Sequence, residues 1–202
     1  MSRLVLATRN VHKVGELRRI LAEAGLGGVG LVGVEAFPGV ADVVETGVTF
    51  AENAALKAHA VAAATGLASI ADDSGLCVDV LGGAPGVFSA RWCGRQGDDL
   101  ANLELLLAQL ADVTAAHRGA HFACAAVLAL PDGTERVVEA RMTGTLIHAP
   151  RGANGFGYDP IFVPDGETGT TAEMTAVEKD AISHRGRAFR ALVPLLRELV
   201  AD

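Results

Sequence analysis

Two short apolar runs, with helix-like segments between them, limit most strongly how this chain can fold. Leu4 to Thr8 has the composition of a buried strand, and from Val14 the apolar residues Val14, Leu17, Leu21 and Ala24 recur at helical spacing. A second helix is announced by TFAENAALKAHAVAAATG, where Thr49 and Glu52 form a capping-box pattern and Gly66 supplies the stop. Another buried strand, Leu67 to Ala71, follows at once and ends in ADDSG. Strands interleaved with helices belong to the α/β class, whose sheet takes helices on its faces.

The rest of the chain keeps the pattern. A further strand is predicted between Leu76 and Arg91, with turn signals from Gly82 to Gly86. The stretch DDLANLELLLAQLADV places Leu100, Leu103, Leu106, Leu107 and Leu110 on one helical face. GAHFACAAVLAL and TERVVEARMTGTLI read as two strands joined by the tight turn PDG, and Ile161 to Val163 as a short one. A closing helix aligns Leu192, Leu195, Leu196 and Leu199, and Pro194 inside it predicts a kink or an earlier boundary. The expected fold is α/β with a mixed sheet. With no repeat and no linker, the 202 residues read as one domain, 1–202, or one domain with two lobes.

Composition excludes several function classes. A net charge of −7 argues against general binding to nucleic-acid backbone, although a local cationic pocket is allowed. No apolar run reaches membrane-span length and the N-terminus has no signal-peptide pattern, so a cytoplasmic protein is expected. Cys77, Cys93 and Cys124 lack CxxC spacing and read as reduced thiols packed in the fold.

The chemistry starts at the first strand–helix junction, ATRNVHK. Asn10 suits an N-cap, yet Arg9, His12 and Lys13 crowd cations onto the positive end of the helix. Such a helix end binds phosphate, and Lys13 would add a compact charge for its oxygens. A surface lysine packed by its stem explains the spacing equally well. In ADDSG, adjacent carboxylates close an apolar strand, which is costly unless a cation, hydrogen bonds or water satisfy them. A hard cation such as Mg²⁺ takes one or two carboxylates plus substrate phosphate. Asp72 and Asp73 point opposite ways on a strand, so they need not share a task; Asp-Ser-Gly is also ordinary turn chemistry. Glu45 could add a second carboxylate, and Asn53 and Lys57 share a face of the second helix, where a solvated face is the plain alternative.

Late in the chain, Gly152, Gly155 and Gly157 permit close backbone approach to a ligand. Phe156 and Tyr158 offer flat surfaces for a base, or serve as loop anchors. His184 and Arg185 bring donors, with Gly186 leaving room beside them.

Five stretches now stand in order: TRNVHK, ETGVTFAENAALKA, ADDSGLCVDVLGGAPGVFSARW, GFGYDPIF and EKDAISHRG. Together, from Thr8 to Gly186, they resemble the inosine triphosphate pyrophosphatase family, the non-standard purine nucleoside triphosphate pyrophosphatases. The resemblance implies a long mixed sheet flanked by helices, two lobes with a central active-site cleft, and a homodimer in the cytoplasm. It implies Mg²⁺-dependent cleavage of ITP, dITP or XTP between the α- and β-phosphates, giving nucleoside monophosphate and pyrophosphate. By motif, Thr8, Arg9, Asn10, Val11, His12, Lys13 and Lys57 would hold the phosphate tail. Glu45 and Asp73 would bind Mg²⁺, Asp73 would also act on the attacking water, and Ser74 would lie beside the substrate. Phe156, Gly157, Tyr158, Asp159, Lys179, His184 and Arg185 would form the base and sugar site. Thr171 stands where an aromatic residue is expected. The competing readings are a pyrophosphatase for modified pyrimidine nucleotides and a nucleotide sensor without turnover; retention of both Glu45 and Asp73 disfavours the sensor. No partner in nucleic acid or membrane is expected.

Overall fold

A computed structural model describes residues 3–201, with the side chains of Val11, His12 and residues 199–201 outside the description. Six strands and five α-helices follow one another along the described chain: β1 (Arg3–Leu6), α1 (Val11–Glu23), β2 (Gly30–Gly33), α2 (Phe50–Thr65), β3 (Ala68–Val78), α3 (Asp99–Gln109), β4 (Gly119–Ala129), β5 (Glu135–Leu146), β6 (Phe162–Pro164), α4 (Ala176–Ile182) and α5 (His184–Ala201). The strand order is β2-β1-β3-β4-β5-β6; β1 runs parallel to β2 and β3, while β5 and β6 are antiparallel. The mixed α/β sheet expected from the interleaved pattern is present.

The chain divides into two compact units, and neither is a continuous stretch. The first comprises Met1–Asp73, Cys124–Ala140 and Arg185–Asp202; the second comprises Ser74–Ala123 and Arg141–His184. In the first, α1 and α5 bury their apolar faces on the sheet: Leu17, Leu21, Phe189, Leu192 and Leu196 pack with Leu4, Leu6, Ile70 and Ala126. On α2, Ala54, Ala58 and Ala62 pack with Ala71, Val127 and Ala129, small residues that let helix and strand approach closely. In the second unit the core is larger-grained, with Leu103, Leu106 and Leu110 against Phe122, Met142, Tyr158 and Phe162.

Local chemistry sets most boundaries. Thr49 and Glu52 cap α2 reciprocally, and Gly66 ends it in the left-handed conformation at φ 66°. Thr175 and Glu178 repeat the capping box on α4. Two expectations are corrected, and of the two alternatives at Pro194 the earlier boundary is excluded. The strand through Ala71 does not stop at ADDSG but continues to Val78, so the separate strand expected from Leu76 is its end. Leu100 is 66% exposed and lies off the packed face of α3. Pro194 lies inside α5, which begins at His184 and carries on past it. Leu199 falls outside the described side chains.

The second unit also buries a cation whose hydrogen bonds among the described residues all go to backbone carbonyls. Arg118, 1% exposed, donates to the carbonyls of Leu110 and Val113 at the end of α3, and of Leu146 and Ile147 at the end of β5. Burial lowers its pKa.

Candidate active site

In the first unit, β1 ends at Leu6 and the next residues form the loop into α1. Thr8 Oγ1 accepts the Asn10 N–H at 3.1 Å, which shapes that loop. Arg9 is tied down on the surface, with Nε 2.9 Å from Asp42 Oδ1 and Nη2 on the Val40 carbonyl. The first turn of α1 contains no acid; the counter-charge for Lys13 comes from β3. Lys13 Nζ lies 2.8 Å from Asp72 Oδ2, and the same oxygen accepts Arg185 Nε at 3.0 Å. Arg185 Nη1 is 3.6 Å from Glu16 Oε2, so two cations and two carboxylates form a chain in which only Lys13 is partly exposed. Burial pushes the Asp72 carboxyl up, but Lys13 and Arg185 outweigh it and hold the group well below the usual carboxylate range. Burial opposes the charge on Arg185 as well, and Asp72 and Glu16 more than restore it.

One residue on, Asp73 faces a different set. Lys57, from α2, places Nζ 2.7 Å from Glu45 Oε1 and 3.5 Å from Asp73 Oδ1. Asn53, one helical turn earlier, donates to Asp73 Oδ2 at 3.2 Å. Burial is the main influence on the Asp73 carboxyl and Glu45 adds to it, so its pKa is raised despite the pull of Lys57. For Lys57, burial is again largest and acts downward, but Asp73 and Glu45 overcome it and leave the ammonium above its ordinary pKa. Glu45 and Asp73 therefore share one cation. Among the described residues no group of three or more His, Cys, Asp and Glu is arranged to hold a metal ion. A divalent ion on these two carboxylates would need its other ligands from phosphate and water, which is the habit of Mg²⁺. The donor set fits.

In the second unit, the GFGYDP loop is built around Asp159, 2% exposed. Its Oδ2 accepts the Phe156 N–H at 2.8 Å and pairs with the Lys179 ammonium from α4, while Oδ1 accepts Thr171 Oγ1 at 2.9 Å. Thr171, fully buried, takes the place of the expected aromatic residue because its hydroxyl anchors this carboxylate. The Lys179 ammonium also sits 5.1 Å from the centroid of the Phe156 ring, a cation–π contact, and the ring is 52% exposed. The Gly157 N–H donates to Asp99 Oδ2, fixing the loop to the start of α3. Tyr158 is not a platform for a base: it is buried, and its hydroxyl donates to the Ser89 carbonyl. The Asp159 side chain orders the loop that carries Phe156. His184, 6% exposed, stacks on Phe122 with centroids 4.9 Å apart.

Thus Lys13, Lys57, Glu45 and Asp73 are drawn to neighbouring positions around Asp72 and Asp73. Phe156, Gly157, Asp159 and Lys179 form a second cluster. Ser74, half-buried, follows Asp73 on β3. The side chains of Val11 and His12 lie outside the described residues. Arg185, expected at the base, pairs with Asp72 and Glu16. Glu16 and the organising role of Asp72 had no local signal, since their partners lie far away in sequence.

Both clusters coincide with the motif blocks, and comparison with known proteins decides what the blocks belong to. The Ham1 family model matches residues 4–195. The chain belongs to the Ham1 family. Its similarity to a dITP/XTP pyrophosphatase of Streptomyces avermitilis is 71% identity over 200 residues, covering 99% of this chain and all of that one. A dITP/XTP pyrophosphatase of Mycobacterium tuberculosis is 53% identical, with 98% and 97% covered. Among solved structures, a Ham1 protein from Coxiella burnetii superposes with a TM-score of 0.89 at 38% identity, covering 98% of this chain and all of that one. A nucleoside-triphosphatase / dITP/XTP pyrophosphatase from Mycobacterium abscessus gives 0.79 at 53% identity, with 96% and 99% covered. Ham1 membership bears out the resemblance carried by the five motif blocks.

Proposed function

We propose that this chain hydrolyses dITP, ITP and XTP between the α- and β-phosphates, releasing nucleoside monophosphate and pyrophosphate. The observation that carries the reading is the pair Glu45 and Asp73 on one half-buried lysine, beside a second lysine held by Asp72. Lys13 and Lys57 would neutralise the phosphate tail, where stabilising charge is most of the catalytic task. Lys13 has three N–H donors, and Asp72 takes one, fixing the ammonium without removing its charge.

Glu45 and Asp73 would hold Mg²⁺, which when bound supplies charge neutralisation and a more acidic water. Asp73 would accept the proton of the attacking water as its oxygen adds to the α-phosphorus and pyrophosphate departs. Asn53 and Lys57 hold the Asp73 carboxylate in place for that proton transfer. Base recognition would fall to the exposed Phe156 ring and the Lys179 ammonium beside it. A 6-oxo purine offers an acceptor to that cation, whereas adenine offers an amino donor. Arg185 would support this indirectly, by fixing the start of α5. The second unit's pairing of His184 with Phe122 anchors the same SHRG stretch.

The resemblance also supports a homodimer and a cytoplasmic location, with the whole chain, 1–202, acting as one catalytic domain. No described helix is long and apolar enough to cross a membrane. Pyrophosphate release with Mg²⁺ should be measured for dITP, ITP, XTP, GTP, ATP and dUTP side by side. Turnover of dITP and XTP well above ATP and dUTP is expected. Preference for dUTP would transfer the protein to pyrimidine nucleotides, and binding without turnover would make it a sensor.

A further inference from the structure

Asn53 is fully buried, and both ends of its amide are used. The Gly47 N–H donates to Asn53 Oδ1 at 2.8 Å, and Asn53 Nδ2 donates to Asp73 Oδ2 at 3.2 Å. A backbone N–H can only donate, so it fixes the amide oxygen on the Gly47 side and turns the NH₂ toward the carboxylate. Gly47 lies two residues from Glu45. The same planar group therefore grips the segment carrying one carboxylate and the side chain of the other.

The space at Gly47 is part of the device. A Cβ there would lie 2.6 Å from Glu52 Cβ, 2.7 Å from Asn53 Oδ1 and 3.0 Å from Asn53 N, all below ordinary van der Waals contact. The capping box around Glu52 fixes this side too: Glu52 Oε2 accepts the N–H groups of Val48 and Thr49. Between Glu45 and α2 the chain has no slack.

We propose that Asn53 is a positioning residue that sets the distance and orientation between Glu45 and Asp73, with Gly47 as the backbone half of the same clamp. The inference rests on the reading of those two carboxylates as the Mg²⁺ pair. A planar amide holding both sides fixes the spacing at which the two carboxylates face one cation. Groups behind metal ligands commonly tune affinity or activity by about 10- to 100-fold.

Two substitutions attack the clamp from opposite ends. Asn53→Asp keeps the shape and the acceptor for Gly47 but sets an oxygen against Asp73. Gly47→Ala changes no charge and forces Asn53 away. Both should lower kcat for dITP by at least about tenfold and weaken Mn²⁺ binding by a similar factor, with KM for dITP within about threefold. Mn²⁺ affinity is read by electron paramagnetic resonance with an α,β-methylene analogue of dITP, so it does not depend on turnover. Asn53→Ala and the double variant Asn53→Ala/Gly47→Ala should be equally impaired, because one clamp can be lost only once. Folded Asn53→Asp and Gly47→Ala proteins with wild-type Mn²⁺ affinity and kcat, and only a lower Tm, would overturn the proposal. Should Gly47→Ala not fold, Asn53→Asp and Asn53→Ser decide alone. If the wild type releases no pyrophosphate from dITP, the functional reading falls, while the Mn²⁺ series still tests the clamp.

Discussion

Asp72 and Asp73 are adjacent on one strand and should respond oppositely to the same substitution. Asp72 is held below the usual carboxylate range by Lys13 and Arg185 after they outweigh its burial. Its charge stabilises the fold, and Asp72→Asn leaves the buried Arg185 and the half-buried Lys13 short of an anion; the loss expected for a broken buried pair is about 3–5 kcal/mol. Asp73 is pushed the other way, chiefly by burial, so at neutral pH its charge opposes folding. Asp73→Asn should abolish turnover, by roughly 10²-fold or more, and raise Tm. Lys57 would still have Glu45, 2.7 Å away in the unsubstituted protein, as its partner. A thermal scan beside a pyrophosphate assay checks both variants. Unchanged kcat for Asp73→Asn would remove Asp73 from the chemistry assigned to it, and a lower Tm would mean that its pairing with Lys57 outweighs its burial. Lys13→Ala belongs to the same scale: a drop of about tenfold or more in kcat/KM is expected from a lost charge on the phosphate tail. A lower Tm with unchanged kinetics would instead favour a structural lysine.

Among elements, the ends of α3 and β5 depend on a single side chain. Arg118 serves carbonyls of Leu110, Val113, Leu146 and Ile147, so Arg118→Met strips donors from buried acceptors. Each orphaned group costs on the order of 1–3 kcal/mol, and urea unfolding should show a loss of about 3 kcal/mol or more. Arg118→Lys should recover only part, because one ammonium cannot reproduce the planar fork. Elements with local instructions were readable in the sequence: the α2 cap, the Gly66 stop and the alanine face needed only residues within a few positions. The path of β3 was not. ADDSG has turn composition, and the strand persists through it because Asp72 is neutralised by Lys13 and Arg185, 59 and 113 residues away. Tertiary charge pairing overrides local propensity there. The site divides in the same way. Lys13, Lys57, Glu45 and Asp73 were legible by motif, but the motif could not show that Arg185 faces carboxylates, that Tyr158 is a core residue or that Thr171 anchors Asp159.

For the molecule as a whole, the order of segments governs how it should unfold. The chain passes between its two units at Asp73/Ser74, Ala123/Cys124, Ala140/Arg141 and His184/Arg185, and β3, β4 and β5 each continue through such a point. Neither unit is encoded by a continuous stretch, so acid unfolding should be one transition. Trp92 is the single tryptophan and belongs to the second unit, while Asp72 belongs to the first. The folded-state pKa of Asp72 is depressed, so its stabilisation is complete above the unfolded-state value of about 3.9 and fades as pH falls below it. Trp92 fluorescence should therefore report the loss of a charge in the other unit, with stability declining from about pH 4 downward. Asp72→Asn should lower stability at pH 7 and flatten that decline, since one proton fewer is taken up on unfolding. Circular dichroism and Trp92 fluorescence should give the same midpoint in both proteins. Separate midpoints, or a Trp92 transition that ignores the substitution, would mean that the interleaved segments unfold as independent parts.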